Sequence, residues 1–311
     1  MTSPSSLFVA DGDAWQPTDL CRGPWDPAAC HGGAPAALVT RALEAVPLPD
    51  APDGSRPIPM RLARVTIELV RPVPTRPLLV ATSVVRPGRK VALLEATLST
   101  ADDGVVVAMA RALRIRSTDP GEVILHDIGP DRPGSPGSPG SPGSPGSPGS
   151  SGDAGDSGDL GVSGSNADEP VPPLPAEPSD VSTAMADYLG FHNGGTEHRF
   201  VRGSFFVPGP VFDWIRLQVP VVRGEEPSPW QRAAAAADFA NGIASSVGFG
   251  EGLFINPDLT VHLWREPVGE WIGMDSVMRT SPTGIGSSDS AMWDLEGRIG
   301  RTNQSLLLDH L

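Results

Sequence analysis

The sequence predicts an α+β chain of two similar halves, each with one principal helix followed by about five antiparallel strands. Three observations predict it. A Gly- and Pro-rich spacer divides the chain near its middle. The strand and turn pattern of the first half recurs in the same order in the second. In both halves the strands follow a helical segment, so a duplicated domain is expected and a solenoid is not.

The elements follow in order. His31-Gly32-Gly33-Ala34-Pro35 leads into AALVTRALEAV, with proline suited to a first helical turn. In VTIELVRPV, Val65, Ile67 and Leu69 share one face, with Arg64, Thr66 and Glu68 on the other. After the turn at Pro87-Gly88, the segment KVALLEATLSTADDGVVVAMARALRI supplies two more strands. Val105, Val107, Met109, Leu113 and Ile115 are expected along one side of the second. Residues 1–125 form the first domain, 126–182 a disordered spacer and 183–311 the second domain. The spacer holds PGS six times from Pro133 to Ser150, and residues 131–180 carry eight acids against one base. Half of the net charge of −14 therefore belongs to a flexible tether. Beyond it, Ser228-Pro229-Trp230-Gln231 reads as a capping box, opening an Ala-rich helix to about Val247 with Gly248 placed to end it. LTVHLWREPV then repeats the earlier strand, Thr260 and Arg265 standing where Thr66 and Arg71 stood. The small residues of both helices let a sheet approach closely.

Composition narrows the function. The acidic balance argues against a nucleic-acid partner or a polybasic membrane anchor. No apolar run reaches membrane-spanning length, and the first residues lack a leader pattern, so a soluble, reducing, cytoplasmic setting is expected. Two cysteines make neither a disulfide scaffold nor a four-ligand zinc site. The six histidines show no ligand spacing, so no metal and no cofactor are expected. No G-x-S-x-G elbow or G-x-G-x-x-G loop occurs, and Cys30-His31 are chain neighbours, a poor geometry for a nucleophile and its base.

The stretches HGGAPAALVTRALEAV, RPVPTRPLLVATSVVRPGRKV, FVRGSFFVPGP, AAAADFANGI, LFINPDLTVHLWREPVGEW and IGRTNQSLLL, in this order, resemble the thioesterase-like superfamily. Within it the chain is similar to the duplicated acyl-CoA thioesterase II type, over roughly residues 5–118 and 183–309. The resemblance implies a double hotdog, two long helices each wrapped by its own sheet. The halves would pair as a pseudo-dimer through those sheets with the helices outside that interface, and a homodimer is left open. It also implies hydrolysis of acyl-CoA in lipid metabolism by an activated water, without a serine or cysteine nucleophile. Carried over by motif, the acid falls on Asp238 in ADFANG and a water-orienting glutamine on Gln304 in RTNQSL. The family's threonine position falls on Asn256 in INPDL. D-x-N-P, the loop of hotdog hydratases, is not matched.

The residues themselves bear on each assignment. Around Asp238, Ala234, Asn241, Gly242 and Ser245 make a small or polar helical face that leaves room for a ligand; the other reading is a solvated face. Asn241 and Gly242 are accordingly substrate-binding candidates. Gln304 shares an alternation face with Thr302, Leu306 and Leu308. Asn256 precedes Pro257 and otherwise shapes the strand entry. His31, Gly32 and Gly33 precede a helix whose exposed N–H groups suit an oxyanion or the CoA pyrophosphate; a plain turn is the alternative. The first-half counterparts of Asn256 and Gln304 fall near Leu62 and Arg111, so one working site per chain is expected. Phe239, Phe249, Phe254 and Trp264 would set groove depth or belong to the core. The Asn at the threonine position motivates the contrasting reading, a non-catalytic acyl-CoA or acyl-carrier binding protein. A structural partner in a heteromeric complex is the third.

Overall fold

A computed structural model describes residues 5–47, 59–117, 170–181, 188–248 and 251–310. By packing, the described residues up to 117 and from 171 onward form one compact unit. The PGS run lies outside the described residues.

The first half contains β1 (Phe8–Asp11), β2 (Ala14–Pro17), α1 (Gly33–Ala45), β3 (Met60–Leu69), β4 (Leu78–Arg86), β5 (Val91–Thr100) and β6 (Val106–Arg116). The second contains β7 (Thr196–Ser204), β8 (Val207–Leu217), α2 (Pro229–Ala237), α3 (Ala240–Ile243), β9 (Leu253–Ile255), β10 (Asp258–Leu263), β11 (Trp271–Thr280), β12 (Ile285–Asp294) and β13 (Gly297–Asp309). The strands join in one antiparallel sheet ordered β1-β2-β4-β5-β6-β3-β10-β13-β12-β11-β8-β7, with β9 beside β13. The described strands thus outnumber the five per half expected.

The seam between the halves is the β3–β10 pair. Thr66 faces Thr260 there, Ile67 faces Leu259 and Val65 faces Val261. The two threonine hydroxyls bond across it at 3.2 Å. Because these threonines occupy matching places in the repeat, the pair marks a local pseudo-twofold. Val65, Ile67, Leu259, Val261 and Leu263 are buried as their alternation predicts.

Three expectations need correction. The helices do not lie outside the interface between the halves: α1 and α2 pack on each other across the seam. A Cβ at Gly33 would stand 2.6 Å from the Ala235 carbonyl oxygen, so glycine and the Ala233–Ala237 run let two backbones approach where larger residues would separate them. The helices run antiparallel, since Glu44 near the end of α1 accepts from Ser228 (2.7 Å) and Gln231 (3.1 Å) at the start of α2. Secondly, β6 buries Ala108, Ala110, Ala112 and Arg114; of the face expected inward only Val107 is buried and Leu113 half-buried, while Met109, Ile115 and, just before the strand, Val105 face outward. Alternation predicts two faces without saying which one meets a helix. Arg114 faces inward because α1 ends there: its guanidinium donates to the carbonyls of Leu43 (2.6 Å), Glu44 (2.7 Å) and Val46 (2.8 Å). Carbonyls at a helix end lack ladder partners, though that of Leu43 also accepts from Val46 N–H at 3.4 Å, and the charge complements the helix dipole.

The third correction concerns residues 170–181, expected inside the spacer. Val171 and Leu174 pack on a cluster of Phe212, Trp214, Trp271 and Trp293. Arg199 donates to the carbonyls of Pro175 (2.7 Å) and Ala176 (2.9 Å), and Ser179 N–H to that of His198 (2.7 Å). Two apolar side chains and these hydrogen bonds dock the segment.

Candidate active site

The Ala-rich second helix stops at Ala237 instead of running to Val247. Ser228 caps the helix as expected, its hydroxyl accepting from Gln231 N–H at 3.1 Å, but the box is not closed, because the Gln231 amide donates to Glu44 instead. The stop is built from polar side chains. Asn241 N–H, which would continue the helix ladder, donates to Gln304 Oε1 at 3.0 Å. Gly242 N–H is taken by Asn241 Oδ1 at 2.9 Å, and Gln304 Nε2 donates to the Asp238 carbonyl at 3.3 Å. Side chains thus replace the lost helical bonds, so the break leaves few buried groups unpaired. Asp238 sits at that break.

Its carboxylate turns toward the other half. Oδ2 lies 2.9 Å from His31 Nδ1, and Oδ1 accepts from Asn256 Nδ2 at 2.8 Å. Asn256 Oδ1 in turn accepts from Asn241 Nδ2 at 3.3 Å. Gly32 lies under the carboxylate, where a Cβ would stand 2.7 Å from Oδ2. The N-terminus of α1 therefore faces this carboxylate. Burial pushes the Asp238 carboxyl up, yet His31, the Asn256 amide and the Gly33 N–H outweigh it and hold the group below its usual range. The His31 ring packs against a stacked Phe191–Phe239 pair, at centroid distances of 5.0 and 4.4 Å.

These groups line one end of a cavity of about 440 Å³ formed between the halves. Leu69, Val73, Phe205, Phe239, Leu253 and Phe254 make it largely apolar, while Asn241 and Gly242 join the polar end. Exposed Asp26 and Arg71 belong to its wall as well. Of the four residues expected to set groove depth, Phe239 and Phe254 line it. Trp264 is 53% exposed and away from the cavity, and Phe249 lies outside the described residues. Gln304 is buried behind the site, its amide directed to the backbone at Asp238 and Asn241. Gly33 is packed under Ala235 and Phe191. Sequence reading missed the Asp238–His31 pair, because nothing in local spacing signals a contact between opposite halves. It also missed a buried cluster in which His198 Nδ1 lies 2.6 Å from Asp213 Oδ2 and Nε2 3.1 Å from Thr196 Oγ1. Both cysteines are free; Cys21 is buried, and burial raises its thiol pKa, an unreactive setting. Among the described residues no three His, Cys, Asp or Glu side chains group as a metal site would require.

Solved structures place this architecture in the hotdog class. A hot dog fold protein from Alicyclobacillus acidocaldarius matches with a TM-score of 0.59 at 15% identity, over 98% of this chain and 96% of that one. The tesB protein of Mycobacterium avium subspecies paratuberculosis matches with a TM-score of 0.53 at 13% identity, over 97% and 95%. Acyl-CoA thioesterase II TesB2 of Mycobacterium marinum matches with a TM-score of 0.52 at 13% identity, over 91% and 90%. At such identities the likeness shows the fold alone. No curated protein matches the chain at the sequence level. Family models go further: residues 21–115 match the acyl-CoA thioesterase N-terminal domain and residues 168–308 the acyl-CoA thioesterase C-terminal domain. The chain belongs to the acyl-CoA thioesterase family.

Proposed function

We propose that this protein is a tandem hotdog whose halves pair as a pseudo-dimer, and that it hydrolyses acyl-CoA thioesters with water in the cavity between them. The observation that carries the reading is an ionised carboxylate, Asp238, tied to His31 and Asn256 at one end of an apolar cavity. A thioester requires an apolar space for its chain and fixed polar groups beside its carbonyl. The apolar wall serves the first need, and Asp238, His31, Asn241 and Asn256 the second. Asn256 steadies the carboxylate, an amide doing what a threonine hydroxyl would do with different reach. Gln304 holds the turn that presents Asp238 and acts through it. Gly32 gives the carboxylate room against α1, and Gly242 leaves the wall open beside the reacting carbon. The pseudo-symmetric place in the first half has Leu62 for Asn256, which supports a single site per chain.

The test is thiol release and free-acid formation from a panel of acyl-CoAs of increasing chain length. Release of both products from at least one member is expected. A panel that raises the melting temperature without any release would replace hydrolysis with binding.

A further inference from the structure

The cavity contains a histidine whose two ring nitrogens stand in different surroundings. Nδ1 has two neighbours, the Asp238 carboxylate at 2.9 Å and the Gly33 N–H at 3.1 Å. Only one can be satisfied by a given tautomer. A bare Nδ1 would set its lone pair against an anionic oxygen, whereas a protonated Nδ1 makes a charge-assisted bond to it. The Gly33 N–H also faces the same carboxylate, which stands close over Gly32, so it keeps an anionic neighbour when Nδ1 is protonated. Nδ1 therefore carries the proton. Nε2 meets no protein donor or acceptor among the described residues, and the ring lines the cavity. Asp238, by contrast, is 5% exposed, with Oδ1 held by Asn256 and Oδ2 by His31. It has little freedom to take a proton from water.

We propose that His31 and Asp238 form a dyad in which the carboxylate fixes Nδ1–H and Nε2 takes the proton of the attacking water. This rests on the hydrolytic reading above and deepens it. A water proton passes to Nε2 as the water oxygen bonds to the thioester carbon, giving a tetrahedral anion and an imidazolium stabilised by Asp238. Collapse of the anion breaks the carbon–sulfur bond, and the leaving thiolate takes the proton from Nε2. The products are the free thiol and the carboxylic acid, which loses its own proton to solvent, and His31 is neutral again. Asp238 is then the positioning residue and His31 the catalytic one. The titratable groups near the ring are Asp238 from the end of α2 and His192, kept neutral by burial, from the turn at Phe191–Gly195; Asp26 and Arg71 stand on the wall of the same cavity.

Two measurements test it. In the first, kcat and its pH profile are compared for wild type, His31→Gln, His31→Asn, Asp238→Asn and the His31→Gln/Asp238→Asn double variant. His31→Gln is expected to lower kcat about 10³-fold and abolish the acid limb of the wild-type profile. The double variant should be no slower than the slower single, because the two residues act as a unit. A His31→Gln or His31→Asn enzyme within a few-fold of wild type overturns the dyad and leaves hydrolysis standing. The second is the 15N spectrum of neutral His31 in the unmodified protein, independent of turnover and of variant folding. Nδ1–H is expected, and Nε2–H would overturn the proposal. Should wild type cleave no acyl-CoA, the hydrolytic reading fails, and with it the base role, while the spectrum still decides the pairing.

Discussion

Asp238 depends on neighbours that each leave a measurable trace. At Gly32 an alanine Cβ would press on both carboxylate oxygens, at 2.7 and 2.8 Å. Gly32→Ala is therefore expected to displace the carboxylate and lower kcat at least 10-fold, with a smaller change in melting temperature; unchanged kcat would remove the contact from the account. Gln304 acts differently. Gln304→Leu removes a donor and an acceptor from the backbone at 238–241, leaving buried groups unpaired, which costs about 2 kcal/mol of stability. Urea unfolding reads that loss directly. Asp238, Asn256 and Gln304 could be named from short motifs because each sits in a recognisable local string. Their division of labour was not legible, since it depends on which atoms a folded backbone leaves free. The matching arginines of the repeat make the same point. Arg265 is locked to buried Asp294, with Nη2 at 2.6 Å from Oδ1, whereas Arg71 lines the cavity.

At the level of elements, helix starts were easier to read than helix ends. Ser228-Pro229 marks its own boundary by a local hydrogen bond. The end of α2 is imposed by Gln304 from a distant strand, so alanine propensity extends the expected helix too far. The end of α1 depends on Arg114 in the same way. Arg114→Met keeps most of the side-chain volume and removes two bonds to α1 carbonyls and one to that of the capping Val46. It should cost about 2 kcal/mol in chemical denaturation, with little change in kcat because the cavity wall does not include this residue. A loss below the error of the measurement would mean that water serves those carbonyls equally well. The inward face of β6 escaped prediction for a related reason. Its alanines are buried, while Met109 and Ile115 face outward, the reverse of what hydrophobicity alone suggests.

For the whole molecule, the duplication was visible in the sequence through Thr66 and Thr260, and these two residues meet at the seam. Their pairing joins two sheets into one and brings α1 and α2 together, which in turn carries His31 to Asp238. Long-range coupling of that kind is set by topology and leaves no periodic signal. Burial also gives the fold a pH dependence. His192 is fully buried with neither ring nitrogen bonded. Burial, reinforced by His31 and His198, lowers its pKa from 6.5 to about 4. The unfolded chain thus binds a proton that the folded chain refuses, so this group costs stability as pH falls from about 6.5 to 4, by about 3 kcal/mol in all. His192→Leu is expected to flatten the stability profile across that window, as read by urea midpoints; an unchanged profile would assign the acid sensitivity elsewhere.

In the proposed reaction, thioester cleavage in this cavity needs the Asp238 carboxylate held between the two halves. Steady-state thiol release by wild type and Asp238→Asn, on the best acyl-CoA and with both proteins folded by melting temperature, tests it most directly. A fall in kcat of at least about 10²-fold with KM nearly unchanged is expected. An Asp238→Asn enzyme turning over at the wild-type rate would contradict it.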